Sequence, residues 1–131
     1  MTETTAEETP AATILVVEDE PEIRELVASS LAVEGYQVLC AVDAADALQQ
    51  LEAHPEVDLV FTDIVMPGEL HGYDLARQVR QRHPSVKLLY TSGYALTAAL
   101  SRSAPIVDAK LVKKPFRLEQ LIGEIRRALT A

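Results

Sequence analysis

The sequence predicts an α/β fold in which a parallel sheet is covered by helices on both faces. Short apolar runs rich in β-branched residues alternate along the chain with segments whose apolar residues recur at helical spacing. Several of the runs are apolar throughout, which is typical of central parallel strands buried on both faces. The chain has 131 residues, enough for one domain with a single core and too few for two ordinary ones.

Five apolar runs are predicted to be strands. In chain order they are TILVV (Thr13–Val17), YQVLCAV (Tyr36–Val42), DLVFT (Asp58–Thr62), KLLYT (Lys87–Thr91) and AKLV (Ala109–Val112). The segment before them, residues 1–11 (MTETTAEETPA), is polar and acidic and has too little apolar surface to order itself. We expect residues 1–11 to be a flexible acidic leader and residues 12–131 to form the domain.

A helix is predicted after each strand. The first has an apolar stripe (Ile23, Leu26, Val27 and Leu31), with Pro21 in its first turn and Gly35 at its end. Asp43 is a suitable cap for the second, which ends near Pro55. The third carries Leu75, Ala76 and Val79 and ends before Pro84, the short fourth covers residues 96–103, and the fifth carries Leu118, Leu121, Ile122, Ile125 and Leu129.

The element order is therefore βα repeated five times. Short crossovers between parallel strands are right-handed, which favours a flavodoxin-like (βα)5 fold, a doubly wound five-stranded parallel sheet with strand order 2-1-3-4-5. In such sheets, ligands bind outside the carboxyl ends of the strands, where the strand order reverses.

Three acids, a hydroxyl and an amine are predicted to meet at that edge. They are Glu18 and Asp19 after the first strand, Asp63 after the third, Thr91 at the end of the fourth and Lys114 after the fifth. Carboxylates placed together repel, and a hard divalent cation such as Mg²⁺, which favours oxygen ligands, relieves that repulsion most directly. The sequence therefore predicts a Mg²⁺ site.

Ordinary helix capping is the alternative interpretation of the acidic run, because acids are common in the first turn of helices. Glu20 fits that interpretation, as a side chain that favours the positive N-terminus of the first helix. Asp63 favours the ion site, because it follows an apolar run in a central strand. Lys114 and Thr91, taken singly, could be a solvated lysine and a plain strand residue.

Four motifs resemble the receiver domains of two-component response regulators. They are VVEDE, FTDIVMP, TSG and KPF, in the family's order and at about its spacings, over Thr13 to Leu129. The resemblance implies that Asp63 is the phosphoacceptor, which attacks a phosphohistidine and becomes an acyl phosphate. It also implies that Asp19 binds Mg²⁺ directly and Glu18 through water, with the main-chain carbonyl of Val65 as a further ligand.

The same resemblance gives roles to the other strand ends. Lys114 would bring its positively charged amine to a phosphoryl oxygen, and a cis peptide bond between Lys114 and Pro115 would orient that amine. Thr91 would move its hydroxyl to bond the phosphate. The family's usual switch aromatic is absent, since its position holds Leu111. Tyr94 is a candidate substitute, and we expect the output surface to be the fourth helix with the fifth strand and fifth helix.

Two further departures concern the loop after Asp63 and the control of dephosphorylation. MPGELHGYDL is one residue longer between Asp63 and Gly72 than the commonest receiver pattern. Val65 and Gly93 occupy positions that tune dephosphorylation in the family, and neither has a side chain that could position a water.

The resemblance implies protein partners. A histidine kinase or histidine phosphotransfer protein would supply the phosphoryl group, and a downstream protein would receive the signal from a monomer or a phosphorylation-dependent homodimer. We expect a stand-alone receiver, not a dedicated enzyme, that phosphorylates itself and has weak autophosphatase activity.

Several alternatives stay open. One is the excised C-terminal receiver of a hybrid histidine kinase. Another is an aspartyl-nucleophile phosphatase, which Val65 disfavours because such enzymes carry a second acid there. A degenerate binding-only receiver is disfavoured by the intact acids, and a flavin or nucleotide binder by the absence of a glycine-rich turn after the first strand.

Composition excludes other classes of function. A net charge of −8 disfavours nucleic-acid binding, which depends on Lys and Arg, and no apolar run reaches the ~20 residues of a membrane helix. The single cysteine, Cys40, cannot form an intramolecular disulfide, so we expect a reducing cytoplasm. Cys40 itself is interpreted as a small apolar residue at a strand end.

Overall fold

The computed structural model describes the backbone of residues 11–63, 72–92, 110–113 and 117–130. Its elements are β1 (Thr13–Val17), α1 (Pro21–Val33), β2 (Gln37–Ala41), α2 (Ala44–Ala53), β3 (Leu59–Asp63), α3 (Gly72–Arg82), β4 (Lys87–Ser92), β5 (Lys110–Lys113) and α4 (Leu118–Thr130). All five predicted strands are confirmed to within one residue at each end. Helix α4 is the predicted fifth helix. Residues 1–10 of the predicted leader (1–11) and the predicted fourth helix (96–103) lie outside the described residues.

The five strands form one parallel sheet in the order β2-β1-β3-β4-β5, which confirms the predicted doubly wound topology. Strand β3 runs one residue further than predicted, because Asp63 is still paired, with Thr91 of β4. Asp63 is therefore the last residue of its strand and not the first residue after it. Val17 pairs with Thr62, so β1 and β3 end nearly level with each other.

The core has two layers, one on each face of the sheet. Successive strand residues point to opposite faces. In β1, Leu15 and Val17 pack in the layer beneath α2 and α3, whereas Ile14 and Val16 pack in the layer beneath α1 and α4. All four side chains are at most 1% exposed. Burial on both faces is why this strand is apolar throughout.

Local chemistry explains where the helices begin and end. Asp43 caps α2 as predicted, since its Oδ1 accepts a hydrogen bond of 2.8 Å from the Asp46 N–H. In return, Asp46 Oδ2 accepts one of 3.0 Å from the Val42 N–H. After α1, Gly35 has a φ of +102°, a left-handed conformation that glycine adopts without steric cost. The predicted end of this helix is thereby confirmed.

An open cavity of about 380 Å³ lies at the edge where the strands begin. It is lined by Ala11, Ala12, Asp58, Ser85, Lys87 and Leu129. At this edge, Asp58 Oδ2 accepts a hydrogen bond of 2.8 Å from the N–H of Thr13, the first residue of β1. The predicted functional edge is at the opposite end of the strands. Among the described helices, none is long and apolar enough to cross a membrane.

Candidate functional site

The acidic turn that follows β1 places two neighbouring carboxylates in different surroundings. Glu18 is only 3% exposed, whereas Asp19 is exposed. The hydrogen bonding to β2 continues for one residue beyond β1, since the Glu18 N–H still donates to the Ala41 carbonyl at 3.1 Å. The turn therefore presents one shielded carboxylate and one that solvent and ions reach freely.

Glu18 is held at both its side chain and its backbone. Its Oε2 accepts a hydrogen bond of 3.2 Å from the Glu20 N–H, as a buried carboxylate requires. Its carbonyl oxygen accepts one of 2.8 Å from Arg24 Nη1. Together with the bond to Ala41, these contacts tie the turn to the end of β2 and to α1.

Strand register brings the predicted residues to one edge of the sheet. Val17 of β1 pairs with Thr62 of β3, so the next residues along the two strands, Glu18 and Asp63, lie at the same level. Asp63 in turn pairs with Thr91. The backbone of the acidic turn, the end of β3 and the end of β4 therefore lie side by side, as the sequence predicts.

The fifth strand ends at the same edge. Ser92 of β4 pairs with Lys113, the last residue of β5, so Lys114 is the next residue along the chain. Lys114 itself, Val65 and Tyr94 lie outside the described residues. Asp63, Thr91 and Leu111 are described by their backbone alone, so their predicted side-chain roles stay predictions.

The donors described at this edge fit a hard divalent cation. Glu18 and Asp19 offer carboxylate oxygens, the ligand type that Mg²⁺ prefers. Side chains within the described ranges form no group of three or more His, Cys, Asp or Glu residues that could hold a metal ion. The third carboxylate of the predicted Mg²⁺ site belongs to Asp63, so the predicted set of acidic ligands is complete only with that side chain. Bound Mg²⁺ would offset the mutual repulsion of these acids.

Glu20 occupies the N-cap position of α1, in agreement with its predicted place at the helix N-terminus. Its carbonyl accepts a hydrogen bond of 2.9 Å from the Arg24 N–H, which closes the first helical turn. Its side chain makes no capping hydrogen bond. Any stabilisation of α1 by the Glu20 carboxylate therefore comes from its charge near the positive helix end.

Cys40 lies on the edge strand β2 and is exposed. Partial burial raises the pKa of its thiol, the Arg24 guanidinium opposes that effect, and the Glu25 carboxylate adds to it. A raised pKa lowers the thiolate fraction, which is the reactive form. The raised pKa agrees with an unreactive thiol, but the exposure of Cys40 differs from the apolar interpretation, because β2 is the edge strand of the sheet.

Arg24 is the residue at this edge that the sequence patterns did not single out. It ends the stretch VVEDEPEIR and lies four residues after the N-cap Glu20. Side chains on helices point back towards the helix N-terminus. An arginine at this place can therefore reach the carbonyl at the end of the preceding strand, and that spacing is the signal that could have identified it.

The fold and this edge define a known class of domain. The family model for the response regulator receiver domain matches residues 14–126. The chain therefore belongs to the response regulator receiver domains, which confirms the resemblance seen in the motifs. It is a phosphoacceptor receiver of two-component signalling. The match to this family does not favour the alternative of an aspartyl-nucleophile phosphatase.

Individual relatives agree with this assignment. The response regulator receiver protein CpdR of Brucella abortus (strain 2308) is 36% identical over 118 residues, which cover 90% of this chain and 97% of CpdR. Part of the sensor kinase CckA of the same organism is 40% identical over 122 residues, which cover 91% of this chain but only 13% of that kinase.

Solved structures agree as well. The crystal structure of a response regulator receiver protein from Sinorhizobium medicae WSM419 matches with a TM-score of 0.81 and 31% identity, covering 92% of this chain and 96% of that one. The receiver domain of NtrX from Brucella abortus matches with a TM-score of 0.76 and 35% identity, covering 90% and 98%.

Proposed function

We propose that Asp63 accepts the phosphoryl group, in a Mg²⁺ site formed with Glu18, Asp19 and the main-chain carbonyl of Val65. One observation carries the proposal. The buried Glu18 is fixed at the end of β1, next to the strand end at which Asp63 pairs with Thr91. An acidic turn beside the end of a neighbouring strand brings a metal-binding element next to a carboxylate nucleophile.

The proposed reaction is a phosphoryl transfer from a phosphohistidine. An oxygen of the Asp63 carboxylate attacks phosphorus, the new O–P bond forms, and the P–N bond breaks with its electron pair returning to the imidazole nitrogen. Bound Mg²⁺ would neutralise charge on the transferring group. The Lys114 ammonium and the Thr91 hydroxyl then donate hydrogen bonds to phosphoryl oxygens, and the bonds from Lys114 are charge-assisted.

The two acids of the turn have different proposed tasks. Asp19 is exposed, which suits a carboxylate that binds the ion directly. Glu18 is buried and one of its oxygens already accepts the Glu20 N–H, which suits a carboxylate that acts through a bound water. The environments of the two side chains thus support the division that the motif resemblance implies.

The proposed partners are proteins. A histidine kinase or a histidine phosphotransfer protein supplies the phosphoryl group, and a downstream protein reads the phosphorylated state. We propose no dedicated enzymatic activity beyond self-phosphorylation and weak autophosphatase activity. The single cysteine supports a reducing cytoplasm as the working compartment.

The acceptor is tested by incubating the protein with acetyl phosphate and Mg²⁺ and measuring its intact mass. The wild type should gain one phosphoryl group, and Asp63→Asn should gain none, because an amide is not a carboxylate nucleophile. Asp58→Asn is the matched control, since Asp58 lies at the opposite edge of the sheet, where the strands begin, and an amide oxygen can still accept the Thr13 N–H. Equal phosphorylation of wild type and Asp63→Asn would contradict the assignment.

A further inference from the structure

Arg24 makes two contacts with the acidic turn. Its backbone N–H donates to the Glu20 carbonyl at 2.9 Å, and its Nη1 donates to the Glu18 carbonyl at 2.8 Å. The second bond has an ionised donor, which makes it stronger than a bond between neutral groups. Arg24 is half-buried, so this bond is partly shielded from competition with water.

The Glu18 carbonyl belongs to the peptide that joins Glu18 to Asp19. A peptide unit is planar, so holding its oxygen also fixes its N–H and the direction in which the next Cα lies. Within the part of the chain that the structure describes, the Asp19 side chain makes no hydrogen bond of its own. The direction in which the Asp19 carboxylate points therefore depends on the conformation of its own backbone.

We infer that Arg24 is a positioning residue for the Mg²⁺-binding turn, which acts by fixing the peptide between Glu18 and Asp19. The inference rests on the proposed function, because it takes those two acids as metal ligands. Arg24 does not contact the metal or the phosphoryl group in this role. It orients the residues that do, as the outer partners of metal ligands commonly do.

Charge and positioning predict opposite effects when Arg24 is replaced. The guanidinium is positive and close to the acids, so its charge alone repels a cation, and its removal would tighten Mg²⁺ binding. Its hydrogen bond orders the turn, and loss of that order would weaken Mg²⁺ binding. The direction of the change in affinity therefore distinguishes a positioning residue from a merely neighbouring charge.

The test is a Mg²⁺ titration of the melting temperature for the wild type, Arg24→Ala and Arg24→Lys. A ligand that binds the folded state stabilises it by an amount that rises with the logarithm of its concentration relative to Kd, so the titration reports the affinity. We expect Arg24→Ala to bind Mg²⁺ about tenfold more weakly. Arg24→Lys keeps a charged donor and should recover part of that loss. Should Arg24→Ala not fold, Arg24→Gln takes its place in the titration, with the same expectation.

Arg126→Ala is the matched control. This arginine is exposed on α4 and pairs with Glu34 at 3.1 Å, so its removal should leave the Mg²⁺ affinity unchanged. Arg24→Ala that binds Mg²⁺ as tightly as the wild type, or more tightly, would overturn the inference. An Arg24→Lys variant as weak as Arg24→Ala would overturn it too.

Failure of the inference is distinguishable from failure of the proposed function. If Mg²⁺ stabilises the wild type, and Asp19→Ala loses that stabilisation while Arg24→Ala keeps it, only the role of Arg24 is wrong. If Mg²⁺ does not stabilise the wild type at all, the proposed metal site and the inference are both wrong.

Discussion

At the scale of single residues, the site depends on how differently two adjacent acids are placed. Glu18 is 3% exposed and held by hydrogen bonds, whereas Asp19 is exposed and stands between Glu18 and Glu20 in the chain. Acids kept close together without a cation cost stability. In the proposed Mg²⁺ site, the metal-free domain would therefore give up part of its folding free energy.

Replacing Asp19 tests this cost. Asp19→Ala should stabilise the metal-free protein by up to about 1 kcal/mol, because it removes repulsion between exposed charges. The same variant should lose most of the stabilisation that Mg²⁺ gives the wild type. Melting curves with and without Mg²⁺ measure both effects. Glu22→Gln, which removes another acid from the first turn of α1, should keep the Mg²⁺ response. An unchanged Mg²⁺ response in Asp19→Ala would count against Asp19 as a ligand.

At the scale of secondary-structure elements, the start of α2 depends on a reciprocal pair of aspartates. Asp43 accepts from the Asp46 N–H at 2.8 Å, and Asp46 accepts from the Val42 N–H at 3.0 Å. Asp43→Ala should destabilise the domain by about 1 kcal/mol, the usual cost of losing a cap, whereas Asp43→Asn should cost much less. Urea unfolding of the two variants gives the comparison, and equal stabilities would show that the cap contributes nothing.

Elements set by local chemistry were predictable from the sequence. The cap at Asp43, the end of α1 at Gly35 and the apolar strands each follow from neighbouring residues. The burial of Glu18 was not predictable, because it depends on how the turn after β1 lies against elements distant in the chain, such as the end of β2, where Ala41 accepts the Glu18 N–H. The hydrogen bond from Arg24 was missed for a similar reason. Its acceptor is the Glu18 carbonyl, whose position depends on the direction of α1 relative to the sheet.

At the scale of the whole molecule, the sheet separates two apolar layers. Leu51 belongs to the layer beneath α2 and α3, and Ile125 to the layer beneath α1 and α4. Leu51→Ala should cost about 2–5 kcal/mol and Ile125→Val about 0.5–1.5 kcal/mol. Because Leu51 and Ile125 belong to separate clusters of buried residues on opposite faces of the sheet, the double variant should show the sum to within about 0.5 kcal/mol. Denaturant unfolding of the three variants measures this, and a larger deviation would show that the layers are coupled through the sheet.

The cavity at the other end of the strands has a consequence for the architecture of longer polypeptides. Ala11, Ala12 and Leu129 all line it, so the backbone enters the first strand and leaves the last helix at nearby points. Entry and exit points that lie together let a domain be spliced into another polypeptide, or circularly permuted, with little rearrangement. Here both points face away from the acidic turn. A polypeptide joined at either point would start at the opposite end of the sheet from Asp63, the proposed phosphoacceptor.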